Sequence, residues 1–434
     1  STLKKQVPID PAWNEATMRL IQRAKVPVIP IYFHAHNSSL FYRLAKIHDL
    51  LRTARLPAEL FTQKNRTIGV RVGKAISVKD QSNHQPIADY TAFFRRKVYM
   101  LSNSFERKHL LNRVPLSLRR RSQKVQPIAP PVSLSLLKNE IALLQQQNKS
   151  LLLSKDYELF LTPALQIPNI LTEIGRQREI AFRAVGEGTN KALDLDHFDQ
   201  DYLHLFLWDH KASSLVGAYR LGLGKELMNK RGLSGFYLAE LFTFQPEISY
   251  MFNNTIELGR AFVAQKYQQR PMPLFLLWKG IIHATLRYPE YDFLMGSVSI
   301  SNQFSKFTKS LMIEFMRSHY YDPFLAQYIT PKKEFKVKLN DGDKEFVFDE
   351  TSADLNKFDR LIEEVEPGAL RLPVLIKKYI KQNARVVSFN VDPLFNNTID
   401  GLMYIKVKDI PASTVQPVLE EFQASLEAKT QSSK

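Results

Sequence analysis

The chain of 434 residues contains no cysteine. Thiol nucleophiles, disulfides and thiolate metal sites are therefore excluded, while the compartment stays open. None of the ten histidines stands in an HExxH-type spacing, so no metal ion is expected. Long apolar runs are also missing. Lys279 breaks the best stretch before it reaches the roughly 18 residues of a spanning helix, and no signal-peptide pattern opens the chain. Any membrane contact is expected to be peripheral.

Positive charge is abundant and unevenly placed. Residues 1–150 hold 26 Lys+Arg against 8 Asp+Glu, a net of +18 in a chain whose total is +17, so the remainder is close to neutral at −1. A face that basic attracts phosphate, whether in nucleic acid or in anionic lipid headgroups. No RNA-binding signature or DNA-reading helix pattern accompanies it, which favours an anionic membrane surface over nucleic acid as partner. A solvated basic surface without a partner is the bland alternative.

The length predicts two or three domains. A helix over residues 11–25 precedes a short buried strand, Val26-Pro-Val-Ile-Pro-Ile-Tyr-Phe33, with prolines at its edges. A helix over 40–55 and a strand over 67–76 follow. Residues 104–153, with Arg119-Arg-Arg121, the Pro127 to Pro131 cluster and an amphipathic run from Leu134 to Gln147, look like a basic connector. Beyond it come a strand at Asp156-Tyr-Glu-Leu-Phe-Leu-Thr162, a helix over 167–183, and two strands joined by the turn His210-Lys-Ala-Ser-Ser214. The alternating stretch 334–349 predicts a hairpin turning at Asp341-Gly342.

The stretch with most chemical content is Thr255-Ile256-Glu257-Leu258-Gly259-Arg260-Ala261-Phe262-Val263, an apolar strand carrying a carboxylate and a guanidinium. Burial would raise the pKa of Glu257 toward the range useful for a base. Regular strand geometry puts Glu257 and Arg260 on opposite faces, but a bulge at Gly259 would turn both toward one cleft. A purely structural pairing of Glu257 with Arg220 or Arg260 is the competing reading. Upstream, Ser214-Leu-Val-Gly-Ala-Tyr-Arg220-Leu221 is a strand ending in arginine; downstream, Leu274-Phe-Leu-Leu-Trp278-Lys-Gly-Ile281 opens an apolar helix.

These elements, with Asp196, Asp199, Tyr202-Leu-His-Leu-Phe-Leu-Trp-Asp209, Leu372-Pro-Val-Leu-Ile-Lys-Lys-Tyr-Ile380 and Asp392-Pro-Leu-Phe395, resemble the motifs of ornithine-lipid and glycine-lipid type N-acyltransferases, some of which carry the name hemolysin. The resemblance spans roughly residues 155–410, and ordered motifs are more specific than any one alone. It implies an α/β fold with a GNAT-like mixed sheet flanked by helices, over residues 154–412, with an insertion at about 305–370 and a tail at 413–434. It also implies transfer of a fatty acyl group from an acyl-carrier-protein thioester, or acyl-CoA, to the amine of a small amino acid, giving a lyso aminolipid. Within it, Glu257 and Arg260 would be catalytic, the bulge amides meeting the thioester carbonyl. Arg220, Lys266 and Arg270 would meet the donor's phosphopantetheine arm, and Asp196 and Asp199 the acceptor. Phe275, Trp278 and Ile281 would line the acyl channel, although such a stripe is more often core. Arg176 and Phe182 match further family positions. The segment Gln265-Lys-Tyr-Gln-Gln-Arg270 lacks the glycines of a coenzyme A phosphate loop, which favours a carrier protein as donor. The loop Phe182-Arg-Ala-Val-Gly-Glu-Gly-Thr189 departs from the homoserine-lactone synthases and argues against homoserine.

Residues 1–103 resemble the C-terminal part of an α/β lysophospholipid (glycerolphosphate) acyltransferase domain, through the Val-Pro-x-x-Pro strand. Ser1 would stand last in that family's glycerol-phosphate motif, whose catalytic His and Asp would lie upstream. His84-Gln-Pro-Ile-Ala-Asp89 repeats their spacing but lies on the wrong side of the strand. His204 and Asp209, five apart on one strand, point to opposite faces. The resemblance implies a peripheral enzyme on the cytoplasmic face of the inner membrane, taking an amino acid or lyso-lipid acceptor. The alternative is a non-catalytic membrane-surface protein using these folds as scaffold.

Overall fold

The computed structural model describes residues 13–35, 37–45, 47–62, 67–105, 125–339, 343–344, 353–366 and 370–432. The chain divides into two units: Ser1–Asn112, Ser305–Thr308 and Leu339–Arg371 make the first, and Arg113–Phe304, Lys309–Lys338 and Leu372–Lys434 the second.

In the first unit, the helix Glu15–Ala24 starts where the Asn14 side chain accepts from the Ala16 and Thr17 amides. Strands β1 (Ile31–His34) and β2 (Gly69–Val72) pair antiparallel, with Ile31 opposite Val72. The buried strand expected at 26–33 is shorter than that and mostly exposed, with Ile31 and Phe33 facing solvent. Pro27 and Pro30 cannot donate to a ladder. The helix expected over 40–55 is two helices, Ser39–Ala45 and Asp49–Thr62. Tyr90, Phe93, Phe94 and Met100, on the helix Ile87–Met100, supply much of the core.

The region read as an insertion divides between the units, with Ser305–Thr308 and Leu339–Arg371 in the first and Lys309–Lys338 in the second. The helix Leu355–Val365 buries Phe358, Leu361, Ile362 and Val365, and the Asn103 side chain donates to Val365 O at 2.8 Å, so this segment completes the first unit. The turn at Asp341-Gly342 lies outside the described residues. The described part of 334–349 shows an isolated bridge between Glu334 and Asn390 in place of a hairpin.

The second unit contains the expected mixed sheet. Its strands are β3 (Ser150–Ser154), β4 (Tyr157–Pro163), β5 (Leu203–Asp209), β6 (Ser214–Leu223), β8 (Thr255–Val263), β9 (Phe293–Ile300), β11 (Arg385–Asp392) and β12 (Thr398–Lys406). The short β7 (Phe242–Phe244) and β10 (Ile329–Pro331) pair apart from it. The main order is β11-β12-β9-β8-β6-β5-β4-β3, antiparallel throughout except for the parallel pair β8 and β9. Alternation along β4 and β5 supplies both faces. Phe160 and Phe206 join Leu137, Ile141, Ile170 and Ile174 from the helices Leu134–Gln146 and Pro168–Ala184. Leu159 and Leu205 face the helix Pro271–Arg287, which comes so close that a Cβ on Gly280 would lie 2.4 Å from Leu159.

The connector expected at 104–153 is thereby corrected from Leu134 onward. Leu137, Ile141 and Leu144 recur at the spacing of one helical face, and that face is buried; Ser150–Ser154 is then the edge strand. Arg119-Arg-Arg121 lies outside the described residues.

Candidate active site

The strand β8 is not regular. Ala218 of β6 pairs with Phe262 and Arg220 with Gly259, so Arg260 and Ala261 together oppose Tyr219. This is a β-bulge, and Arg260 carries it with φ 51°, in the left-handed region. The bulge expected at Gly259 is therefore present one residue on. On the other side of β8, the parallel ladder with β9 runs from Thr255–Phe293 to Leu258–Gly296 and stops, while β9 continues along β12 to Ile300. A cavity of about 90 Å³ lies where the strands part, lined by Leu258, Gly259, Arg260 and Ala261 on one side and by Ser297, Val298 and Ser299 on the other. Backbone groups freed from a ladder in this way are available to a ligand.

Arg260 is held by charge and by rings. Its Nη2 donates to Asp196 at 3.2 Å, its Nε lies 3.9 Å from Asp194, and its guanidinium sits 4.8 Å from the Tyr237 ring and 4.5 Å from the Phe395 ring. Arg220 donates to Asp196 at 2.5 Å and approaches Asp199 at 3.3 Å; Arg178, from the helix Pro168–Ala184, meets Asp199 at 2.9 Å and Asp194 at 3.1 Å. Three guanidiniums and three carboxylates thus form one alternating, nearly buried network. Burial raises the Asp199 carboxyl, but Arg178 and Arg220 outweigh it and hold it well below the usual range; Asp196 is lowered in the same way, chiefly by Arg220. Asp196 and Asp199 spend their charge here and do not line the cavity.

Glu257 lines the cavity but its oxygens are turned into the fold. Oε2 accepts from Tyr202 Oη at 2.5 Å and from the Tyr237 amide at 3.2 Å, and Oε1 from the Leu238 amide at 3.0 Å. The carboxylate thereby ties β8 to the start of the short helix Leu238–Leu241. Burial pushes its pKa up to about 7, against the opposing pull of those donors and Arg220. It forms no ion pair with Arg220 or Arg260 among the described contacts, so neither the free base nor the simple salt bridge expected from the sequence describes it. The cavity's remaining acids are Glu187, whose Oε2 accepts from Ser299 Oγ at 2.7 Å, and Asp400 of β12, flanked by Asp392 of β11.

Residues 177–278 match the model of a family described as acetyltransferase (GNAT) domain. The chain is 29% identical over 272 residues to glycine N(alpha)-acyltransferase of Phocaeicola vulgatus, covering 59% of this chain and 80% of that protein. It is 28% identical over 272 residues to glycine N(alpha)-acyltransferase of Bacteroides thetaiotaomicron, covering 59% and 78%. No solved structure matches the chain. The protein is an acyltransferase with a GNAT-like fold.

Enzymes of this type draw the acyl group from a thioester. Beyond β8 the chain turns through Gln265–Tyr267 into the helix Pro271–Arg287, whose start carries Pro271 and Pro273 and so offers only the Met272 and Leu274 N–H groups. Lys266 and Arg270 flank that turn, over the Tyr267 ring at 4.8 and 5.4 Å, and Lys266 also donates to Ser214 Oγ at 2.8 Å. Arg220 does not reach this region; it is locked in the ion-pair network. Of the expected channel, Trp278 and Ile281 lie in the core, Trp278 against Tyr379, while Phe275 is half exposed; none of the three lines the cavity between β8 and β9. Phe182 does line it, whereas Arg176 pairs with Glu173 at 2.7 Å.

The two accidental His–Asp spacings resolve differently. His84 Nδ1 lies 2.9 Å from Asp89, with the ring stacked 4.0 Å from Phe93, as a pair inside the first unit. His204 Nε2 bonds Asp199 O at 2.8 Å while Asp209 accepts from Tyr267 Oη at 2.8 Å, so the two serve separate regions of the second unit. Sequence reasoning misses Arg178, Asp194, Glu187 and Asp400. Asp400 carries a usable signal: like Glu257, it is a lone carboxylate within an apolar strand, Thr398–Lys406.

Proposed function

We propose that this acyltransferase moves a fatty acyl group from a carrier thioester to the amine of a small amino acid, glycine first among them, as a step of lyso aminolipid synthesis. The observation that carries the reading is the opening between β8 and β9. A thioester laid into it meets freed backbone amides at the bulge, while its far end meets the side chains of Lys266 and Arg270. The two relatives, both named glycine N(alpha)-acyltransferase, support an amino acid acceptor. Side chains in place of a glycine loop at 265–270 favour an acyl carrier protein over free coenzyme A.

The first unit is read as a lysophospholipid-acyltransferase-like domain that contributes membrane contact rather than chemistry. The unit holds 24 Lys+Arg against 17 Asp+Glu, and its net positive charge with exposed Leu50, Leu60 and Phe61 on the helix Asp49–Thr62 supports docking on an anionic bilayer at its cytoplasmic face. No helix among the described residues is long and apolar enough to cross a membrane.

The experiment is thiol release from palmitoyl-carrier protein and palmitoyl-CoA in the presence of each small amino acid, with mass detection of the product. The absence of cysteine means that all thiol signal comes from the donor. N-acylglycine formed in step with thiol supports the reading. Intact thioester with every amine, or transfer only to water or to a hydroxyl, overturns it.

A further inference from the structure

The cavity wall has an uneven charge. Its ionisable carboxyls are Glu187, Glu257 and Asp400, and Arg260 is the cation among its lining residues. The acids of the ion-pair network are neutralised by arginines, and Glu257 is engaged by three donors. The lining carboxyls outside both arrangements are Glu187 and Asp400. Ser299 of β9 links them: it pairs across the ladder with Asp400 and donates its hydroxyl to Glu187.

A second observation bears on the opposite charge. Arg260 lines the cavity, and its buried Nε makes no hydrogen bond, lying 3.9 Å from Asp194 Oδ1. A buried donor without a hydrogen bond, on a residue that lines a cavity, is one that a ligand's acceptor can satisfy. Carboxyls and a guanidinium lining one cavity match an α-amino acid in its zwitterionic form.

We propose that the acceptor amino acid binds here as a zwitterion, its ammonium between Glu187 and Asp400 and its carboxylate toward Arg260, and that Asp400 takes the proton that frees the amine. This rests on the amino-acid reading of the reaction and names the acceptor subsite within it. The step balances. The ammonium gives one proton to Asp400; the neutral amine nitrogen then bonds to the thioester carbonyl carbon, the C–S bond breaks, and the nitrogen's second proton leaves with the thiol. The proton on Asp400 returns to solvent.

The surroundings of Asp400 fit the role. Burial, then Asp392 and Glu187, push its carboxyl up to about 8, while Arg260 and the Ser297 hydroxyl pull the other way. Glu187 is raised by burial, with Ser299 opposing. An incoming ammonium supplies the missing counter-charge and lowers both, so that Asp400 ionises as the acceptor arrives. Glu257, by contrast, would have to release three donors to act. We assign it a positioning role.

The test uses the full chain, wild type and the variants Glu187→Gln and Asp400→Asn. Binding of glycine, methylamine and acetate is followed by ligand-observed NMR without donor, and turnover by thiol release. Glycine should bind at least about 10-fold more tightly than either half-molecule. Asp400→Asn should lose about 100-fold or more in kcat, within the usual range for a general base, and should lose the rise of kcat toward pH 8. Glu187→Gln should raise KM for glycine about 10-fold with kcat little changed. At pH 6 Asp400 is already protonated, so its Asn variant should melt with the wild type, separating lost chemistry from lost fold. Variants within about 3-fold of wild type in kcat, KM and pH profile overturn the assignment, as does glycine binding no better than methylamine. If glycine binds through these residues but no acyl group is transferred to any amine, the subsite stands and the proposed reaction falls.

Discussion

Glu257 offers a measurement in which the sign alone is informative. Replacing it with glutamine keeps the shape and leaves a carbonyl for the Leu238 amide, while the new NH2 faces Tyr202, whose hydroxyl can turn to Gly235 O at 3.3 Å. The neutral forms are therefore close in stability. Their difference comes from titration. Burial holds the folded-state pKa near 7, against a usual 4.5, so between those values the folded protein keeps a proton that the unfolded chain has lost. Wild-type stability then falls as pH rises from about 4.5 to 7, by about 1.4 kcal/mol for each pH unit crossed, or about 3 kcal/mol over the window. The glutamine variant has no such slope, and other groups cancel in the comparison. Glu257→Gln should be up to about 1 kcal/mol less stable than wild type at pH 5, and about 2 kcal/mol more stable at pH 8. Urea unfolding of the two proteins at matched pH reads this directly. A gap constant from pH 5 to 8 refutes the buried titration, and a wild type that gains on the variant as pH rises would mean that the three donors outweigh burial. A positioning role further requires that the variant keep the shape of the wild-type pH–activity profile.

Three more outcomes follow from the same site. Arg178→Met leaves Asp194 and Asp199 buried without their shared guanidinium and should cost about 3–5 kcal/mol, the usual loss from breaking a buried pair, visible as a fall in the urea midpoint. Gly296→Ala puts a Cβ 2.4 Å from Leu258 O, where the β8–β9 ladder ends; roughly 1–3 kcal/mol of overpacking strain should appear in thermal melts, with loss of acyl transfer because the opening changes shape. His204 is held neutral by burial, its pKa lowered to about 4, so the unfolded chain binds a proton below pH 6.5 that the folded one refuses; stability should fall by about 3 kcal/mol as pH drops from 6.5 to 4, and His204→Asn should flatten that acid limb.

Much of the second unit is legible in the sequence because β4, β5, β6 and β8 are apolar and bounded by turn residues, and those signals are local. The misreadings concern partners. Leu137, Ile141 and Leu144 mark an amphipathic helix, but nothing local says that the sheet of the second unit covers it. Helix Leu355–Val365 has a strong apolar face too, and only tertiary packing assigns it to a unit whose other residues lie some 250 positions away. The same holds at the site. Glu257, Arg260, Asp196, Asp199 and Arg220 all stand out as charges in apolar surroundings, but which carboxylate neutralises which guanidinium is decided by the register of β6 against β8 and by the loop through Asp194. Asp400 has the same local signature as Glu257, but its strand lies outside the ordered motifs, and only the pairing of β12 with β9 carries it to the cavity.

The bulge and the ion-pair network depend on each other. A non-glycine residue in the left-handed region costs on the order of 1 kcal/mol and persists only where surrounding contacts over-determine it. Arg260 has such contacts: two aspartates draw its head toward the 194–199 loop, and two rings clamp it. The residue so clamped lines the cavity, and the bulge it carries interrupts the ladder beside the opening. A charge lost from the network therefore acts at a distance on both halves of the reaction, by letting β8 relax toward a regular strand. This explains why three arginines and three aspartates occupy a neutral, nearly buried cluster next to a site that needs only one of those guanidiniums. On the proposed reading, their work is to hold the backbone of Arg260 in the left-handed region.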